Sequence, residues 1–394
     1  MVNTLYPPFK VGGAERSVEL LAQELCRKGM ETHVITLHSG AHVEHQEVEG
    51  VRVHRLPLKN SYWPFSGASE SAFQKLVWHL RDAENSEMRR CFSELIDQIS
   101  PDVVHTNNLA GFSVSVWREC ASRRLPVVHT ARDYYLLHPN SKLFNGRGIQ
   151  NEFSISARLW SYPKKLASTH VRAFVGISKY VVDIHRARGF FENASAEVIH
   201  NSVERIVGRS ANTQRTGRIG FIGRLDESKG IESILEAMRS MPSRQLLVAG
   251  EGRSDYVAQL HRKSPSNVEF LGRRSPDDFF KEIDLLLVPS LWAEPLGRVV
   301  LEAYSFGVPV VAAKIGGLKD IVPQNCGRLF EPGAMTSIID CIEDALVNIE
   351  SLSQACTQFA HSFTSSKIAD SYIKTYKKAI GEDNLKNSNE ARIF

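Results

Sequence analysis

The sequence predicts an α/β protein built on two doubly wound parallel sheets, and three observations carry that expectation. Short apolar runs of strand length recur along almost all of the 394 residues. Stretches of helical periodicity separate them, which is the pattern of strands buried on both faces. The length exceeds what one hydrophobic core fills comfortably and suits two domains.

At the start only Met1-Val2-Asn3-Thr4 precedes Leu5-Tyr6-Pro7-Pro8. The strand that a doubly wound sheet usually places centrally is therefore expected to be truncated, with ladder partners stripped from two neighbours and the natural start lying upstream. Gly12 and Gly13 then open a helix whose Val18, Leu21, Ala22 and Leu25 share one face. Further strands are expected over 31–38, 51–56, 102–106, 126–130 and 173–177, with a helical stretch over 74–99. The polar segment 201–216 reads as a linker. A second series of strands is expected over 218–223, 245–250, 268–272, 284–289 and 308–313, and a final helix over 366–380. The domains are accordingly 1–205, 206–365 and a closing segment 366–394 whose tail from Gly381 is polar and frayed.

Composition narrows the function classes. The net charge of +4 is too small to argue for nucleic acid, and all of the excess lies in residues 1–205, with 25 Lys plus Arg against 21 Asp plus Glu. No apolar run approaches the roughly 18 residues of a membrane span, and no signal-peptide pattern opens the chain. A cytoplasmic protein is expected, peripheral at most on the inner face of the membrane. Six cysteines without a C-x-x-C pair read as reduced thiols, mostly buried. Fourteen histidines include no metal-binding spacing, so neither a metal nor a cofactor is expected.

Two stretches carry chemistry. In Pro289-Ser290-Leu291-Trp292-Ala293-Glu294-Pro295-Leu296-Gly297-Arg298-Val299-Val300-Leu301-Glu302-Ala303, a buried strand gives way to a helix between two glutamates. Pro295 suits a first helical position, Gly297 allows close approach to the backbone, and amides at the helix start face any anion above the strand ends. The glutamates stand too far apart to share a proton or a metal and can instead accept bonds from hydroxyls at two ends of an extended ligand. In Phe221-Ile222-Gly223-Arg224-Leu225-Asp226-Glu227-Ser228-Lys229-Gly230, two cations five residues apart precede a helix and make a candidate diphosphate clamp.

Together these stretches resemble the retaining glycosyltransferases of family 4. The resemblance rests most specifically on the E-x7-E spacing of Glu294 and Glu302. Gly307-x-Pro309-Val310-Val311-Ala312, Gly316-Gly317, Val248-Ala249-Gly250-Glu251-Gly252, Phe270-Leu271-Gly272 and the Gly12-Gly13 loop add to it. It implies the GT-B fold, two facing Rossmann-like domains with a cleft between them, and a final helix that crosses back to the first domain. It implies a nucleoside diphosphate sugar as donor, with Arg224 and Lys229 on its diphosphate, Glu294 on the hexose and Glu302 on the ribose. Gly12, Gly13, Gly223, Gly250, Leu271, Leu296 and Gly297 would complete the donor site. The acceptor is expected to be a hydroxyl of a glycan or of a polyprenyl or other lipid-linked sugar, in cell-surface polysaccharide biosynthesis. A nucleotide-sugar epimerase of the same fold and a non-catalytic binding protein remain as alternatives.

The acceptor side is expected around Val127-Val128-His129-Thr130-Ala131-Arg132-Asp133. Family members often carry Thr-x-His-Asp here, and this chain has Arg132 in the histidine position. His129 is the nearest substitute as a catalytic group and equally fits a structural histidine. Residues 139–152 read as a loop over the site. Between 142 and 190 nine cations (Lys142, Arg147, Arg158, Lys164, Lys165, Arg172, Lys179, Arg186, Arg188) face only Glu152 and Asp183, with Phe153, Leu159, Trp160, Tyr162 and Leu166 interleaved. That stretch is expected to meet an anionic membrane surface.

Overall fold

The structure, a computed structural model, describes residues 1–9, 12–67, 70–144, 155–209 and 214–381. The chain forms two compact units, one of residues 1–142, 151–200 and 365–394, the other of 143–150 and 201–364.

In the first unit the strands are β1 (His33–His38), β2 (Glu44–Val48), β3 (Val51–Pro57), β4 (Val104–Thr106), β5 (Val127–Ala131), β6 (Ala173–Gly176) and β7 (Ser195–Val198). They are ordered β1-β3-β2 and β4-β5-β6-β7, parallel except for the β2–β3 pair. The opening residues join the two sheets. Val2 bridges Ile35 of β1 and Thr106 of β4 in parallel, its amide donating to the His105 carbonyl at 2.8 Å while the Asn107 amide reaches its own carbonyl at 2.9 Å. The expected loss of ladder partners therefore does not occur. The opening residues lie between two edges that supply bonds from both sides.

The helix Gly13–Arg27 covers one face through Leu21 and Leu25, and the helix Ser365–Ile380 packs there as well. Tyr376 and Tyr372 of the latter anchor by their hydroxyls, on His105 Nδ1 at 2.7 Å and Thr130 Oγ1 at 3.1 Å. The helical stretch expected over 74–99 is two helices, Ala72–Ala83 and Ser86–Ile99. Asn85 divides them because its side chain caps the second helix, accepting from the Met88 amide.

In the second unit, β8 (Ile219–Ile222), β9 (Leu246–Ala249), β10 (Val268–Gly272), β11 (Leu285–Val288), β12 (Val310–Ala313) and β13 (Gly327–Phe330) form one parallel sheet ordered β10-β9-β8-β11-β12-β13. The order reverses between β8 and β11, and a doubly wound sheet binds ligands beyond the strand ends at such a point. The segment expected as a linker belongs to this unit in its described part. Val203 bridges Thr364, the Val207 and Gly208 amides bond the Ser305 carbonyl, and buried Asp284 accepts from the Thr216 and Gly217 amides at 2.8 and 2.7 Å.

Candidate active site at the strand ends

Beyond β8 and β11 the chain makes two turns that lock together. After β8, Asp226 caps the short turn Glu227–Lys229, and the Ser228 carbonyl receives the Leu291 amide from the loop after β11 at 2.8 Å. Gly230 follows with φ of +67°, and a β-carbon there would stand 2.1 Å from the Pro289 carbonyl oxygen. Only glycine satisfies both the left-handed conformation and that approach.

This docking sets Lys229 against Glu294. The ammonium donates to Glu294 Oε1 at 2.7 Å and lies 5.7 Å from the Trp292 ring centroid, while the Ser290 hydroxyl donates to the same oxygen at 2.6 Å. Glu294 is buried. Burial pushes its carboxyl up, but the Lys229 charge and the bonds from Lys229, Ser290 and Trp292 outweigh it and hold the group below the usual carboxylate range. The loop after β12 supports the backbone from the other side. The Gly317 amide donates to the Glu294 carbonyl at 2.7 Å, and a β-carbon on Gly316, whose φ is +53°, would stand 2.6 Å from that oxygen.

The helix after this loop runs Arg298–Ser305 with Gly297 as its left-handed cap. Pro295 is therefore not at a first helical position. It lies in the preceding turn, because the chain must first bring buried Leu296 inward and then reverse at Gly297. Glu302 projects one turn into the helix and pairs with Arg298 at 2.7 Å. On the β8 side, Gly223 and Gly250 meet backbone to backbone, since a β-carbon on Gly250 would stand 1.8 Å from the Gly223 carbonyl oxygen. The Gly250 amide reaches the Gly272 carbonyl at 2.8 Å, beside half-buried Leu271. Arg224 is exposed and pairs with Asp226, whereas Lys229 pairs with Glu294. Ser290, Trp292 and Asp226 complete the constellation, and the only advance signal for them was membership of the two motifs.

In the first unit, Gly12 caps the helix Gly13–Arg27, its amide donating to buried Glu15 at 3.0 Å. His129 is enclosed, its ring 4.9 Å from Trp117 and 5.5 Å from Phe191, with Nδ1 at 2.9 Å from Thr106 Oγ1. Burial, then the His185 and Arg132 charges, drive it well below the ordinary imidazole range. Arg132 is buried at the end of β5 and donates through Nε to Asn107 Oδ1 at 2.9 Å. The neighbouring Asp133 carboxyl is pushed up to about 6, chiefly by burial.

In the basic stretch Lys142, Arg158, Arg172 and Lys179 are exposed, and one cation lies inside the fold. Lys164 is buried, donates to the Tyr135 carbonyl at 2.8 Å and stands 3.5 Å from that ring's centroid. Its amine is lowered to about 8 by burial, against the pull of Asp82 and Asp133. Arg172 and Arg186 bond backbone carbonyls and Lys179 pairs with Asp183. Arg147, Glu152 and Phe153, and with them most of the loop expected over 139–152, lie outside the described residues.

Among the described residues no cluster of His, Cys, Asp or Glu has a metal-binding arrangement, and no helix is long and apolar enough to cross a membrane. Two family models match the chain, the glycosyl transferase 4-like domain over residues 12–202 and glycosyl transferases group 1 over 203–362. A Klebsiella pneumoniae protein named as a 42.6 kDa protein in the cps region is 38% identical over 321 residues, covering 82% of this chain and 86% of its own. A glycosyltransferase of Methanocaldococcus jannaschii is 27% identical, covering 84% of each chain. Among solved structures, Anabaena HepE in complex with UDP aligns at a TM-score of 0.72 and 19% identity, over 96% of this chain and 99% of its own. Sucrose-phosphate synthase from Thermosynechococcus elongatus aligns at 0.71 and 17%, over 93% and 94%. With both halves matched by these models, and with GT-B enzymes as its structural neighbours, the chain belongs to the family 4-like, group 1 glycosyltransferases of the GT-B fold.

Proposed function

We propose that the protein transfers a hexose, with retention of anomeric configuration, from a nucleoside diphosphate sugar to a hydroxyl of a glycan or lipid-linked acceptor in cell-surface polysaccharide biosynthesis. The observation that carries this reading is the pair of half-buried Lys229 with buried Glu294 at the strand ends, set by two glycine-dependent turns. It presents a cation and a hydroxyl-binding carboxylate side by side. Structures of Anabaena HepE, which shares the fold, hold UDP, UDP with glucose, and UDP-glucose, which supports the donor class. The cps-region relative supports the polysaccharide role.

In the proposed reaction the bond from the anomeric carbon to the leaving phosphate oxygen breaks, and the acceptor oxygen bonds the same face of that carbon. The acceptor proton passes to the departing phosphate oxygen, so no separate base is required. Lys229 and Arg224 neutralise the charge that grows on the diphosphate, an interaction stronger in the transition state than in the ground state. Glu294 accepts from the hexose hydroxyls and Glu302 from the ribose hydroxyls, with backbone at Gly223, Gly250, Leu271, Leu296 and Gly297 completing the donor contacts. His129, enclosed between aromatic rings, acts by ordering the end of β5. Arg132 then holds an anionic part of the acceptor or the leaving group.

Incubation with labelled UDP-, GDP- and ADP-sugars tests the reading. Transfer to acceptor, or slow donor hydrolysis that persists in EDTA with the α-configured product, supports it. Inversion at C2 of the donor identifies an epimerase instead, and binding without turnover a non-catalytic protein. Activity lost in EDTA and restored by Mg2+ overturns the metal-independent form.

A further inference from the structure

Two helices of the first unit carry apolar faces that stay exposed among the described residues. In Ala72–Ala83 the exposed residues Phe73, Leu76 and Leu80 stand at i, i+3 and i+7, and in Ile155–Ala167 Leu159, Tyr162 and Leu166 repeat that spacing. All six expose between 45 and 72% of their surface. Such spacing places three side chains in one stripe along a helix. The helices lie side by side, the His79 and Trp160 rings 5.8 Å apart, and their inner faces are fixed by Trp78, Asp82 and Lys164. In the second unit the described exposed apolar residues, such as Leu291, Met335 and Val347, are dispersed along its chain. A contiguous apolar surface marks an interaction site where a scattered residue does not.

The charges beside the stripes choose the occupant. Lys75, Arg81 and Arg158 are exposed and Lys165 is partly so. Asp82, the one carboxylate in either helix, is buried beneath, bonded by the Tyr135 hydroxyl and the Gly111 amide. A second copy of the chain docking here would set cation against cation, which self-association disfavours. Apolar stripes on helices that expose cations and keep their one carboxylate buried match the interface of an anionic bilayer, apolar side chains entering the acyl boundary and ammonium or guanidinium groups meeting phosphates.

We propose that this two-helix ridge, and not the basic stretch as a whole, docks the first unit on an anionic membrane surface. The proposal rests on the glycosyltransferase reading only in supposing that the membrane holds the acceptor.

Co-sedimentation with vesicles tests it without any turnover measurement. The full chain should bind vesicles of phosphatidylcholine with 30% phosphatidylglycerol, about tenfold or more above pure phosphatidylcholine at low salt. Phe73→Ser/Leu80→Ser/Leu159→Ser and, separately, Lys75→Glu/Arg158→Glu should each lower binding at least about tenfold. All five positions are exposed, so melting temperature should stay near that of the parent. Binding that is equal on both vesicle types, absent at low salt, or unchanged in both variants overturns the proposal. So does a dimer in sedimentation velocity that the serine variant dissolves, since the ridge then seats a second copy. Donor hydrolysis measured without vesicles reports separately on the glycosyltransferase reading.

Discussion

Both units end parallel strands in clusters of polar groups, yet they build those ends differently. Beyond β8, β11 and β12 the architecture is backbone against backbone, with Gly230 under the Pro289 carbonyl, Gly316 under that of Glu294, and one ion pair set on top. Beyond β4 and β5 it is side chain against side chain, with His129 between aromatic rings and Lys164, Asp82, Asp133 and Tyr135 sharing an enclosed network. The first design has few solutions in sequence and reads as a motif. The second can be met by many residue sets, provided that every buried polar group finds a partner.

Substitutions that load each design separately sharpen the contrast. Gly230→Ala should have the largest effect. It forces a left-handed alanine and a backbone clash with Pro289, costs about 4 kcal/mol and abolishes turnover. A melting temperature within 2 °C of the parent would break the account of the interlocked turns.

Lys164 should show the next effect, read as a dependence on pH. Its folded pKa of about 8 lies below the ordinary 10.5, so between these values the unfolded chain binds more protons. The penalty is complete below pH 8 and relieved as pH rises toward 10.5. Relative to Lys164→Met, the parent should therefore gain up to about 3 kcal/mol across that window in denaturant titrations. A flat difference would mean that the folded amine titrates near its ordinary value, as a hydrated one does.

Lys229→Ala should lower turnover at least about tenfold and destabilise by roughly 2 kcal/mol, because it leaves buried Glu294 without its cation. Adding Glu294→Gln should recover much of the stability and none of the rate. Recovery of both would show that the pair serves only the fold. Arg224→Ala should do least to stability, under about 1 kcal/mol, since its pair with Asp226 is exposed, while rate still falls at least about tenfold. Rates within twofold of the parent for both cation variants would remove the diphosphate clamp.

The same contrast explains what could be read from the sequence. Glu294, Glu302, Lys229 and the glycines were legible because local backbone demands tie them to fixed spacings, and every strand expected from an apolar run is present in the sheets. Three strands were not legible: β2 and β7 are mostly exposed and β13 is half-buried at its centre, so none shows an apolar run. The role of Lys164 was missed because its partners Asp82 and Tyr135 lie far away in sequence. A count of cations cannot distinguish a buried lysine from a solvated one. The ladder bonds of the opening residues were not legible for a related reason: shortness alone does not reveal which edges lie beside a strand.

The helix Ser365–Ile380 has a consequence for how the protein is made. Its Ile368, Ala369, Tyr372 and Tyr376 complete a core whose other members include Leu21, Leu25, Val128 and Val175, so the unit whose chain is synthesised first is closed last. At about 5–20 residues per second, ribosomal synthesis of the intervening second unit leaves that surface open for on the order of ten seconds or more. Premature termination before Ser365 therefore harms the early half of the chain more than the late half, and chaperone demand falls on the segment that has waited longest.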